Sequence, residues 1–190
     1  MASILPRHAF TVEEWEQMGR IGMFNEDARL ELIDGEIVDM TPIGARHQYC
    51  VKRLNRLFGQ LLGEGAVVSV QDPLRLGGRS EPQPDIALLR PPLERYRSVP
   101  TAPDALLVVE VADSSLERDL AKTPIYARAG VLECWVVDLE GPRILTFAGP
   151  GPDGYGLAAE RRGDDLLSIA SLPQLSLTVS QLLGDVAISH

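Results

Sequence analysis

The sequence predicts an α/β fold: a mixed sheet flanked by helices, with an N-terminal hairpin. Three observations carry this. Ile86-Ala87-Leu88-Leu89 and Leu106-Leu107-Val108-Val109-Glu110-Val111 are near-continuous apolar runs, the mark of strands covered on both faces. The second run leads through a helical stretch at 116–129 into Glu133-Cys134-Trp135-Val136-Val137-Asp138, and strand, helix, strand in so short a space calls for a parallel crossover. Asp34-Gly35, set between alternating apolar residues, supplies the two positive φ angles of a type I′ hairpin turn.

The elements follow in order. Thr11-Val12-Glu13-Glu14 has the pattern of a capping box and opens a helix through about Met18, with Val12, Trp15 and Met18 at helical spacing. Leu30 to Met40 is the hairpin. Residues 45–63 predict the longest helix: Cys50, Val51, Leu54, Leu57, Phe58 and Leu61 form one apolar stripe, and His47 lies on it a turn earlier. Gly63 and Gly65 end it. Residues 66–70 predict a strand, after which Gly77-Gly78 turns the chain toward the Asp85 strand. The segment from Arg90 to Asp104 carries Pro91, Pro92, Pro100 and Pro103 and is long for an internal connection. It predicts a functional surface loop or lid, with arginines available to phosphate or to solvent. Asp113-Ser114-Ser115 offers capping chemistry to the helix at 116–129, where Pro124 is either a kink or the start of a fresh turn and Gly130 is the stop. Residues 142–148 and 155–161 predict an antiparallel pair around a Gly-Pro-rich turn, and 177–184 a short closing helix.

Bulk properties narrow the function classes. With 190 residues, 45% hydrophobic and 24% charged, the chain predicts one soluble domain over 1–190, with a core at 29–140 and a C-terminal strand extension at 141–190. No apolar run approaches the roughly 20 residues of a membrane span. Met1 to Phe10 lacks the basic and apolar regions of a secretory signal. Cys50 and Cys134 sit in apolar patterns, as buried free thiols of a reducing cytoplasm do. A net charge of −9 argues against a generic nucleic-acid binder. Yet residues 46–97 hold nine basic and five acidic side chains, a locally basic region around Asp85 that could receive DNA weakly.

The chemistry starts from Glu110. A carboxylate inside an apolar strand costs several kcal/mol unless a cation or a shared proton compensates it. Asp85 on a neighbouring strand and Lys122 downstream suggest a divalent metal with a lysine beside it. Mg²⁺ or Mn²⁺ wants oxygen ligands, one or two carboxylates plus waters and a substrate phosphate. A lysine ammonium can then hold the attacking water or stabilise the phosphorane charge. Repulsion between the two carboxylates further predicts that Asp85→Asn raises the melting temperature of the metal-free protein. Glu31 could join the metal cluster or occupy the exposed hairpin face. His47 is either a packed histidine near a helix N-terminus or a ligand. Tyr126, one turn beyond Lys122, can orient its ammonium or pack its ring in the core.

Pro84-Asp85 followed by Glu110-Val111-Ala112 resembles the PD-(D/E)xK nuclease superfamily, with alanine at the usual lysine position. More closely, the chain resembles the Uma-type restriction endonucleases, a bacterial branch of that superfamily. The likeness rests on Glu31 to Glu36, Gly44-Ala45-Arg46-His47, Gln83-Pro84-Asp85-Ile86, Val109-Glu110-Val111, Asp113 to Leu116, Asp119, Lys122, Tyr126 to Val131 and Trp135 to Asp138. It implies a restriction-endonuclease-like fold and a Mg²⁺-dependent endodeoxyribonuclease. Asp85, Glu110 and Lys122 would be catalytic, Asp85 and Glu110 would hold the metal, and Glu31, His47 and Tyr126 would be accessory. DNA is the implied partner, and a homodimer suits an enzyme that cuts both strands. The competing reading is a catalytically degenerate binding or regulatory module of the same fold. The interval from Asp119 to Lys122 is one residue shorter than the likeness implies, which would rotate Lys122 by about 100°. Either the helix starts late, near Lys122 and Pro124, or Lys122 is misaimed.

Overall fold

A computed structural model describes residues 7–25, 27–40 and 42–184. Most of the segment searched for a secretory signal lies outside them. The first helix, α1 (Val12–Arg20), carries the expected capping box: Thr11 accepts from the Glu14 N–H, and the Glu14 carboxylate accepts from the Thr11 N–H. Strands β1 (Leu30–Ile33) and β2 (Glu36–Asp39) form the hairpin, with Asp34 and Gly35 at φ 48° and 83° as the turn demands.

The central sheet has six strands: β3 (Val67–Val70), β4 (Ile86–Leu89), β5 (Ala105–Ala112), β6 (Glu133–Asp138), β7 (Arg143–Gly151) and β8 (Gly154–Arg162), in that spatial order. β5 and β6 are parallel and every other pairing is antiparallel, so the sheet is mixed. Alternation along β4 and β5 sends Ile86, Leu88, Leu107 and Val109 to one face, where they pack with Cys50, Val51, Leu54 and Phe58 of α2 (Ala45–Leu62). Ala87, Leu89 and Val108 go to the other face and meet Tyr126 of α3 (Leu116–Arg128). The sheet thus lies between α2 and α3. Cys50 and Cys134 are buried free thiols. Leu61, placed on the apolar stripe by its spacing, is instead half exposed, and Leu62 takes the buried position.

Helix α3 departs from both arrangements that its short interval implied. It begins at Leu116 and runs through Pro124 without restarting. Proline has no N–H for the carbonyl four residues back. The Thr123 hydroxyl donates to that carbonyl, Leu120 O, at 2.9 Å and replaces the missing bond. Gly130, at φ 85°, stops the helix as expected.

The 90–104 segment lies away from Asp85. It caps the opposite end of β4 and β5, after Leu89 and before Ala105, and folds on itself. Arg90 donates to Pro103 O, Arg95 pairs with Asp104, and the Tyr96 hydroxyl donates to Arg90 O. Beyond β8, two further strands, β9 (Leu166–Ile169) and β10 (Leu172–Thr178), form a small antiparallel sheet. Their Leu167, Ile169, Leu172 and Leu175 cover the α2 face together with α4 (Val179–Leu183).

Candidate active site

The ladder between β4 and β5 pairs Ile86 with Val109, so Asp85 stands opposite Glu110 one step further along, on the same face. Directly opposed side chains in an antiparallel pair have Cβ atoms about 4.5–5.5 Å apart. Both residues are buried, Asp85 at 9% and Glu110 at 2% exposure. Asp85 accepts on both oxygens: Oδ2 takes the Val111 N–H at 2.9 Å and lies 3.1 Å from His47 Nε2, and Oδ1 takes the Gln71 amide at 3.1 Å.

Lys122 is well aimed. Its Nζ sits 3.4 Å from Glu110 Oε1 and 2.9 Å from Glu31 Oε2. Glu31 is therefore not on an exposed hairpin face. It is buried, its Oε1 accepts from the Gln83 N–H at 2.8 Å, and the same carboxylate accepts from the lysine. Tyr126 packs its ring in the core and donates its hydroxyl to Glu110 Oε1 at 2.6 Å, so it orients the carboxylate and not the ammonium. His47 is packed beside Asp85 at the first turn of α2, and its Nδ1 has no hydrogen-bond partner.

Two participants escaped the sequence reading as site residues. Asp119 is buried, lines the same pocket and accepts from the Ser115 hydroxyl at 2.6 Å. Its position three residues before Lys122, on one helix face, was the available signal. Gln71 gave none, because only its positive φ of 54° at the end of β3 turns it toward Asp85. Within the locally basic region Lys52, Arg56, Arg79, Arg90, Arg95 and Arg97 are exposed, but none of its arginines or lysines lines the pocket. The cationic side chains in the pocket lining, besides His47, are Arg29, Arg118 and Lys122, all outside 46–97. Within that region Arg75 pairs with Glu16 and Glu81, and Arg53 is tied to carbonyls of α4.

Charge in the pocket is unbalanced. Glu31, Glu110 and Asp119 converge on one lysine, and Asp85 lines the same pocket. Burial pushes the Glu110 carboxyl up to about 8; Lys122 opposes this, and Asp85, Asp119 and Glu31 reinforce it. Burial likewise lifts Asp119 to about 6 despite its bond from Ser115. Burial works against the charge on Lys122, but Glu110 and Glu31 outweigh it and hold the ammonium protonated. The same contest at His47 ends with its pKa raised by Asp85. Among the described residues no group of three or more His, Cys, Asp or Glu side chains forms a ready-made metal cage. Mg²⁺ rarely uses one: it keeps several waters and takes one or two carboxylates. An excess of buried carboxylate held on rigid strands and open to a cavity of about 160 Å³ fits such a cation.

A mixed sheet between helices thus brings opposed carboxylates from two central strands together with a lysine on the next helix. The chain belongs to the Uma2 family, whose model, described as "Putative restriction endonuclease", matches residues 12–180. Solved structures match as well. One, from Anabaena variabilis ATCC 29413, is described as a "putative nuclease belonging to DUF820". It aligns with a TM-score of 0.75 at 15% identity, over 93% of this chain and 99% of that one, a likeness of fold. Among curated proteins none matches.

Proposed function

We propose that the chain is a divalent-metal-dependent endonuclease that hydrolyses DNA phosphodiester bonds, with Mg²⁺ or Mn²⁺ held by Asp85 and Glu110. The observation that carries this reading is the register that sets Asp85 opposite Glu110 with the Lys122 ammonium against Glu110. Asp85 and Glu110 would hold the cation, whose charge would stabilise a scissile phosphate and lower the pKa of a bound water. The protein's own groups do the rest. Tyr126 and Lys122 hold Glu110, His47 and Gln71 hold Asp85, and Glu31 positions Lys122. Lys122 then stabilises negative charge developing on phosphorus oxygens as water attacks and a sugar oxygen departs. Buried free thiols suit a reducing cytoplasm, and no described helix is long and apolar enough to cross a membrane.

One observation favours the competing binding or regulatory module: Lys122 already has two carboxylate partners, as a structural ion pair would. Lys122→Met decides between them. It keeps most of the aliphatic stem, so metal affinity should hold or rise slightly, while cleavage falls by on the order of 10²–10³. Lys122→Arg and a melting curve control for Glu31 losing its partner. The assay uses supercoiled and single-stranded DNA with Mg²⁺ or Mn²⁺ at low salt, because an acidic protein binds DNA poorly at high salt. Equal cleavage by parent and variant removes the lysine from the mechanism. Metal binding without cleavage by either establishes the module.

A further inference from the structure

We infer, building on the nuclease reading, that the substrate of this site is an unpaired DNA strand, a flap or single-stranded segment, and not a continuous duplex.

The groups that would touch phosphorus are recessed. Asp85, Glu110 and Glu31 are each under a tenth exposed, and the Lys122 and His47 side chains are only 11% and 13% exposed. Above them stand two walls. Met40, Pro42 and Ile43, just after the hairpin, form one; Ser114, Ser115 and Arg118, at the start of α3, form the other. The walls are joined: Arg118 Nη1 donates to the Asp39 carbonyl at the end of β2, at 2.6 Å. The space between, about 160 Å³, is below the roughly 300–1,000 Å³ of pockets for drug-sized ligands. It takes a phosphodiester and part of its sugar, with Met40, Pro42 and Ile43 as an apolar side. In a duplex, neighbouring phosphates and the paired strand would meet the walls before one phosphate reached the floor.

Charge agrees with shape. A duplex carries one negative charge per about 1.7 Å of axis and is held by a basic track along it. The pocket lining offers Arg29, Arg118 and Lys122 against Glu31, Asp85, Glu110, Asp113 and Asp119. That set suits a single phosphate drawn in between arginines at the mouth. An enzyme that must bring one backbone segment into a narrow site spends least on a strand already unpaired.

The test uses the full chain and three DNAs of one sequence: a continuous duplex, the single strand, and a duplex bearing an unpaired flap. With Mn²⁺, the single strand and the flap should be cut at least about tenfold faster than the duplex, a difference of about 1.4 kcal/mol in barrier, with cuts confined to unpaired nucleotides. Arg118→Ala opens the mouth without altering Asp85, Glu110 or Lys122, and should shrink that ratio. Equal rates on the three DNAs, or an unchanged ratio in Arg118→Ala, would overturn the inference and leave the nuclease reading intact. Binding by fluorescence anisotropy in Ca²⁺ separates the two failures. Preferential binding of the single strand with no cleavage of any DNA would keep the substrate assignment and remove the nuclease. Equal binding of single strand and duplex would sink the assignment whatever the cleavage result.

Discussion

Burial and its acidic neighbours push the Glu110 carboxyl up to about 8, so without metal it should hold a proton at neutral pH. With its pKa lifted to about 8, metal binding at neutral pH must release a proton, so affinity should rise about tenfold per pH unit up to about 8 and then level off. Calorimetry in two buffers of different ionisation enthalpy reads the released proton directly. A pH-independent affinity would mean that Glu110 is ionised without metal. The same shift fixes the sign of stability against pH. A carboxyl whose folded pKa is raised binds more protons folded than unfolded, so its contribution is complete below about 4.5 and is lost as pH rises through about 8. Asp119, lifted to about 6, acts in the same direction over a lower window, and the raised His47 does so too. Metal-free protein should therefore melt lower at pH 8.5 than at pH 5.5, and Glu110→Gln, which keeps an acceptor for Tyr126, should flatten the slope.

Asp85 reverses a simple electrostatic expectation. Relief of repulsion predicted that Asp85→Asn would raise the metal-free melting temperature. Three donors point at this carboxylate, from Val111, Gln71 and His47, and an amide NH₂ must face at least one of them. An unmet buried donor costs about 1–3 kcal/mol, so the variant should melt lower without metal and lose its response to Mg²⁺. The carboxylates themselves could be read from the sequence because a charge in an apolar run demands an explanation. Their donors could not, because Gln71 reaches Asp85 only through backbone geometry after β3.

At the level of elements, α1, the hairpin, α2 and the strands from Val67 to Asp138 were legible from spacing and turn chemistry, since each has one dominant periodicity. Helix α3 was not, in one respect. Counting residues from Asp119 to Lys122 sets an aim only if the start of the helix is known, and the turn at Asp113 to Ser115 places that start at Leu116. The small sheet of β9 and β10 was hidden for two reasons. Pro173 argues against a strand, and the register shifts between Leu172 and Ser176, so no clean alternation survives. The Thr123 bond offers a test of how α3 tolerates Pro124. Thr123→Val strips the hydroxyl that donates to Leu120 O and should cost about 1 kcal/mol in thermal melting. An unchanged melting temperature would show that the helix needs no substitute for the proline N–H.

For the whole molecule, charge sets the working conditions. At −9 the protein repels DNA at long range, and the few arginines at the pocket mouth act at short range. Salt screens that repulsion while weakening the few arginine–phosphate contacts, so cleavage should fall only shallowly with salt, read as the slope of rate against salt concentration. The hairpin is bound to α3 at three points: Arg118 on the Asp39 carbonyl, Lys122 on Glu31, and Arg128 on Asp34.

These ties also have a place in the order of folding. The Tyr126–Glu110 bond closes a loop of 16 residues within the strand–helix–strand unit, whereas Lys122 and Glu31 are 91 residues apart. Short closures form early, and the long one adds entropy cost before it returns any contact. The unit from β5 to β6 is expected to nucleate, with the hairpin docking after the transition state. Glu31→Gln should then leave the refolding rate nearly unchanged and speed unfolding. In stopped-flow chevrons only the unfolding limb should move, and the lysine would be the last member of the pocket to reach its place.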